Sequence, residues 1–172
     1  GRSGLKVSQL AMGCGFRGMS DRDAMEGVIN HAIERGINFI DCSNTYGPRD
    51  ESERGGVVEE VLGRVLARGR DDLVVTTKVT SVTGPGPNDI GSSRYHIMRE
   101  IDRSLRRLQT DHVDVYLLHW RDHTTPLEET VEAMTDVVRS GRARYWGICN
   151  YQAWEACRAL WLADKAVAPG FI

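Results

Sequence analysis

Short apolar runs alternate along the chain with longer stretches whose apolar residues return every three or four positions. Leu10-Ala11-Met12-Gly13 is the first run, and Asp21 to Glu34 follows it with Met25, Val28, Ile29, Ala32 and Ile33 at helical spacing. Ser20 or Asp21 is placed to cap that helix and Gly36 to end it. Ile37-Asn38-Phe39-Ile40 reads as a second strand, and Val57 to Leu66 as a helix with Val58, Val61, Leu62 and Val65 on one face. Leu73 to Thr77 is a third strand, β-branched after its first residue. Ile97, Ile101, Leu105 and Leu108 mark a third helix. Val113 to Leu118 is the fourth strand, and Leu127 to Val138 the fourth helix, starting behind Pro126. Ala143 to Ile148 and Tyr151 to Asp164 complete a fifth pair.

Five strand–helix units with almost no hairpin signal predict a parallel sheet in an α/β fold. An open doubly wound sheet competes with a (β/α)₈ barrel. Strand ends near residues 13, 41, 78, 119 and 148 give a repeat of about 28 to 41 residues, at which a full barrel needs about 250. On length alone the open sheet is favoured. The missing GxGxxG after the first strand weakens a nucleotide-binding version of it. The stretch Gly84-Pro85-Gly86-Pro87-Asn88 is a loop between strand and helix, because the alternation resumes directly after it.

Composition narrows the function class. The 172 residues carry a formal net charge of −2, with 41% apolar and 27% charged residues, which is the make-up of a globular protein. Near-neutral charge argues against a nucleic-acid partner or an anionic membrane surface. No apolar run has the roughly 18–20 residues of a membrane span. No apolar signal region stands behind Gly1-Arg2-Ser3-Gly4. Cys14, Cys42, Cys149 and Cys157 show no CxxC spacing. Reduced, mostly buried thiols in a cytoplasmic protein are therefore expected.

In parallel α/β folds ligands bind at the carboxyl ends of the strands, so those ends carry the chemistry. Strand two ends at Asp41, with Tyr46 in the loop behind it; strand three ends at Lys78, strand four at His119-Trp120 and strand five at Cys149-Asn150. Asp41, Tyr46, Lys78 and His119 thus come to one rim. A phenol is a weak acid at neutral pH, and an ammonium beside it favours the phenolate. An aspartate holds that ammonium charged and in place. A histidine can share the proton or orient a carbonyl oxygen. Such a group suits protonation of an oxygen that turns negative as hydride arrives at carbon. It does not suit acyl transfer, since no serine or cysteine has a matched base.

Taken singly, these residues also have plain structural readings. Asp41 can cap a loop, Tyr46 before Gly47 can be a turn aromatic, Lys78 a solvated lysine and His119 a rim histidine. A metal site would use His119 and His123 with a carboxylate. That spacing spans a strand end and a loop through Thr124-Thr125-Pro126 rather than one helical face, so no metal is expected.

Several blocks, in order along the chain, resemble the aldo-keto reductases. Gly36-Ile37-Asn38-Phe39-Ile40-Asp41 with Tyr46-Gly47 is similar to their first signature, and Thr77-Lys78-Val79 to their lysine strand. Ser104 to His119, SLRRLQTDHVDVYLLH, is similar to a third block. Gly1 to Ser8 and the loop through Gly84 to Asn88 resemble the branch of bacterial reductases and potassium-channel β subunits. The resemblance implies a (β/α)₈ barrel, an NADP(H) cofactor and a small carbonyl substrate. It implies a catalytic tetrad of Tyr46, Lys78, Asp41 and His119, with Tyr46 the proton donor. Asp41, Asn150 and Gly13 would contact cofactor, and Trp120 and Tyr46 would bind substrate.

The chain also departs from the family pattern. Cys149 stands where the family has serine, and the family's opening hairpin would precede Gly1. Its last strands, with a nicotinamide-stacking aromatic and a pyrophosphate-gripping loop, would follow Ile172. The expectation is therefore a single domain truncated at both ends, with about five βα units of the barrel. Open sheet edges and uncovered apolar faces then predict self-association and weak NADPH binding. The runner-up functions are a non-catalytic cofactor-sensing regulatory subunit and an inactive fragment of a reductase.

Overall fold

The computed structural model describes residues 3–48, 55–166 and 168–172. Gly1 and Arg2, part of the N-terminal match above, lie outside the described residues. Ten elements alternate: β1 (Ala11–Gly13), α1 (Arg22–Glu34), β2 (Phe39–Asp41), α2 (Val57–Leu66), β3 (Val74–Val79), α3 (Arg94–Leu108), β4 (Val113–Leu118), α4 (Leu127–Arg139), β5 (Ala143–Ile148) and α5 (Ala153–Lys165). The five strands form one sheet in sequential order, every pair parallel. A doubly wound sheet would reverse its order at a switch point. The chain therefore has five consecutive units of the (β/α)₈-barrel type. Beyond α5 the same order continues, because Phe171 makes a parallel bridge to Trp146 of β5.

Local chemistry sets the boundaries. Asp21, not Ser20, caps α1: its carboxylate accepts from the N–H groups of Asp23 and Ala24 at 2.9 and 3.1 Å. Gly36, at φ 86°, follows that helix. The α5 helix starts two residues later than the periodicity predicts. Asn150 sits in the left-handed region at φ 55°, and the Glu155 carboxylate accepts the Gln152 N–H at 2.9 Å, which makes Gln152 the cap. β3 runs on to Val79, two residues past the predicted Thr77, since Lys78 and Val79 pair with Leu117 and Leu118. β2 starts later than predicted. Asn38, just before it, gives its carbonyl to Val74 N–H at 2.7 Å, while its side chain accepts from Ser8 N–H of the N-terminal segment at 2.7 Å.

The apolar faces of the helices cover the sheet. Met25, Ile29, Val58, Leu62, Ile97, Ile101, Met134 and Val137 are fully buried with Ile40, Val75, Tyr116 and Trp146. Val28, predicted on the core face of α1, stays 40% exposed at its edge. Between α2 and α3 the backbones close in tightly: a Cβ on Gly63 would stand 2.3 Å from the Arg107 carbonyl oxygen. The cysteines are free thiols, two buried, one half-buried and Cys157 exposed. Among the described residues no helix is long and apolar enough to cross a membrane.

Candidate active site

The strand register brings the site together. Gly13 of β1 pairs with Asp41 of β2, and Lys78 of β3 with Leu117 of β4. Past the strands the ladder continues through Cys14 N–H to the Asp41 carbonyl, and His119 N–H to the Val79 carbonyl, both 2.9 Å. His119 is thereby fixed one step above Lys78. Tyr46 returns to the rim through a tight loop, in which its N–H donates to the Ser43 carbonyl at 3.2 Å. Gly47 turns the chain at φ 148°, where a Cβ would approach Val57 to 3.1 Å. Only glycine fits that corner comfortably.

Lys78 is the hub. Its ammonium has three hydrogens and spends them on three acceptors: Asp41 Oδ1 at 2.7 Å, the Cys42 carbonyl at 2.8 Å and Tyr46 Oη at 3.2 Å. The side chain is only 5% exposed, while that of Asp41 is 33% exposed. Burial pulls the Lys78 pKa down, but the bond and charge of Asp41, with help from Tyr46, outweigh it and hold the pKa above the usual lysine value. Nζ also lies 4.5 Å from the centre of the Tyr46 ring.

His119 meets Tyr46 edge to face, with ring centres 5.7 Å apart, and stacks on Trp120 at 5.0 Å. Trp120 is 49% exposed, on the open side of the site. Burial, reinforced by the Lys78 charge, pushes the His119 pKa down to about 4, so the ring is neutral at pH 7. Asn150 is exposed and gives its Nδ2 to the His119 carbonyl at 2.7 Å. The space where a Cβ would stand on Gly13 is open, beside Asp41. Cys149 is half-buried, and burial raises its thiol pKa. His123 lies 3.8 Å from Glu155. Among the described residues no three His, Cys, Asp or Glu side chains gather as a metal site would require.

The structure thus brings Asp41, Tyr46, Lys78 and His119 into one contiguous group, with Trp120, Asn150 and Gly13 on the same rim. Sequence reasoning missed the Cys42 carbonyl, and also Ser43 and Ser81, whose hydroxyls lie 3.4 and 3.3 Å from His119 Nδ1. A backbone acceptor leaves no mark in a sequence. The two serines had one signal, since each stands just past a strand whose end was already singled out.

Comparison with known proteins follows the same line. The model of the aldo/keto reductase family matches residues 9–170. The chain is 37% identical over 180 residues to an uncharacterized oxidoreductase, YrpG, of Bacillus subtilis, covering all of this chain and 54% of that one. It is 39% identical to a probable voltage-gated potassium channel subunit beta of Arabidopsis thaliana, over 96% of this chain and 49% of the relative. It is 35% identical to the L-glyceraldehyde 3-phosphate reductase of Escherichia coli, over 88% and 44%. The chain spans about half the length of the curated relatives it matches.

Proposed function

Because the chain belongs to the aldo/keto reductase family, we propose that it serves an NADPH-dependent reduction of aldehydes or ketones to alcohols, with Tyr46 as proton donor. One observation carries this reading. Lys78 donates to the phenol oxygen of Tyr46, which leaves the phenol's own hydrogen free for a substrate oxygen.

The rim suits a nicotinamide. Gly13 leaves open space beside Asp41, Asp41 keeps a third of its side chain exposed, and Asn150 is exposed above β5. Asp41, Asn150 and Gly13 would hold that end of the cofactor, which when bound supplies the hydride. The chain's own residues handle the oxygen. As charge grows on the carbonyl oxygen, Tyr46 gives up its proton, and the Lys78 ammonium at 3.2 Å stabilises the phenolate left behind. Asp41 keeps Lys78 charged and aimed. With Nδ1 accepting from Ser43 or Ser81, neutral His119 carries its hydrogen on Nε2 and orients the carbonyl oxygen. Trp120 flanks the substrate.

A second reading, a cofactor-binding regulatory subunit without turnover, draws on the similarity to potassium-channel β subunits. Steady-state assays of NADPH consumption with a panel of aldehydes, beside an NADPH titration followed by tryptophan fluorescence, separate the two. Aldehyde-dependent consumption supports the reductase. Saturable binding with no consumption by any aldehyde supports the subunit.

A further inference from the structure

One charged residue on the rim has no part in the tetrad. Arg17 lies in the loop after β1, on a turn closed by Met19 N–H donating to the Phe16 carbonyl at 3.2 Å. Phe16 adopts φ 42°, a left-handed conformation that is strained for a residue with a Cβ, and its ring packs against the core. That anchor holds the turn to the scaffold and leaves Arg17 exposed. Three residues before it, Cys14 is bonded to the Asp41 carbonyl, so the loop rises directly beside the site. Most of the chain's other arginines lie in ion pairs, among them Arg64, Arg68, Arg94 and Arg158. Arg17 pairs with no carboxylate among the described residues.

Resting on the reductase reading, we propose that Arg17 is an anion-recognition residue and that the preferred substrates are carbonyl compounds bearing a carboxylate or phosphate. Among the described residues, the charges of Lys78, Asp41 and Arg17 act on the His119 ring. Asp41 is consumed by Lys78 at 2.7 Å, and His119 is neutral. Among the described residues the site therefore keeps one positive charge, from Arg17, on a chain whose net charge is −2. An exposed guanidinium with no carboxylate partner among the described residues, on a loop that rises beside the site, matches a planar carboxylate or a phosphate through paired N–H donors. Trp120, half-exposed and stacked on His119, bounds the same mouth.

The test compares an aldehyde ending in a carboxylate with the methyl ester of the same aldehyde, under NADPH, in the wild type, Arg17→Gln and Arg17→Lys. The wild type should prefer the acid, and the acid-to-ester ratio of kcat/KM should fall roughly tenfold in Arg17→Gln. Arg17→Lys should retain part of the preference, and added salt should shrink it. An unchanged ratio in Arg17→Gln overturns the proposal. So does a rise in the NADPH KM that lowers both substrates equally, for then the charge serves cofactor phosphates. If neither aldehyde is reduced by the wild type, the reductase reading fails separately. Titration with inorganic phosphate, followed by tryptophan fluorescence, then decides the anion site. Saturable quenching that disappears in Arg17→Gln sustains it, and absent or unaltered quenching overturns it.

Discussion

Two ion pairs hang from neighbouring residues of β3, and they have opposite fates. Lys78 reaches Asp41 at 2.7 Å on the rim. One residue earlier, Thr77 donates to Glu59 of α2, and the other Glu59 oxygen takes Arg107 Nε of α3 at 2.7 Å. Because side chains alternate along a strand, adjacent residues feed opposite faces of the sheet. The bond lengths are equal, so length does not tell a structural pair from a chemical one. Surroundings do. Glu59 is fully buried and its partners are helix and strand, whereas Asp41 is one-third exposed and its lysine also holds a phenol. Backbone strain follows the same division. Of the non-glycine residues with positive φ among those described, Phe16, Thr80 and Asn150 stand just past β1, β3 and β5, and only Gln109 lies elsewhere, at the end of α3.

The sharpest way to break this comparison is to remove each pair in turn. Lys78→Met should lower aldehyde reduction by about 10²- to 10⁴-fold, while the fold survives because Asp41 can turn to water. Kinetics together with thermal unfolding check this, and a variant that unfolds would make the rim pair structural after all. Glu59→Gln should do the reverse, lowering unfolding free energy by roughly 3 kcal/mol in denaturant titration, since it strands a half-buried Arg107. The folded fraction should retain its kcat.

Acid should distinguish the regions further. Unfolded, His119 takes a proton near pH 6.5; folded, it holds out to about 4. Between those values the unfolded chain binds more protons, so stability is complete above pH 6.5 and declines as pH falls toward 4. In His119→Gln that part of the stability–pH curve should flatten. The smallest effect is expected at a residue outside both pairs. Asp21→Ala removes the cap of α1 and should cost about 1 kcal/mol, leaving reduction unchanged.

Much of the rim pair was legible in the sequence, and almost none of the buried one. Asp41, Lys78 and His119 end apolar runs, so strand order alone delivers them to one place. Glu59 has no such marker. It stands in the first turn of α2, where acids are common, and its partner is 48 residues away on a different helix. Only the close approach of α2 and α3 at Gly63 creates the contact. The strand–helix alternation was readable because each unit has its own period, and its boundaries were less so. The start of α5 depends on a left-handed Asn150 and a Glu155 cap, and neither alters hydrophobic spacing. Chain length pointed toward an open sheet; the sequential strand order shows the barrel arrangement instead.

Tyr46→Phe probes the proposed service of Lys78 to the Tyr46 proton with the least disturbance. That variant keeps the ring, its packing against His119 and the Lys78–Asp41 bond, and removes only the hydroxyl. Aldehyde reduction should fall by about 10²-fold or more while the NADPH dissociation constant stays within about twofold of wild type, because the hydroxyl acts mainly in the transition state. Reduction at the wild-type rate, or a loss matched by equally weakened NADPH binding, would contradict it.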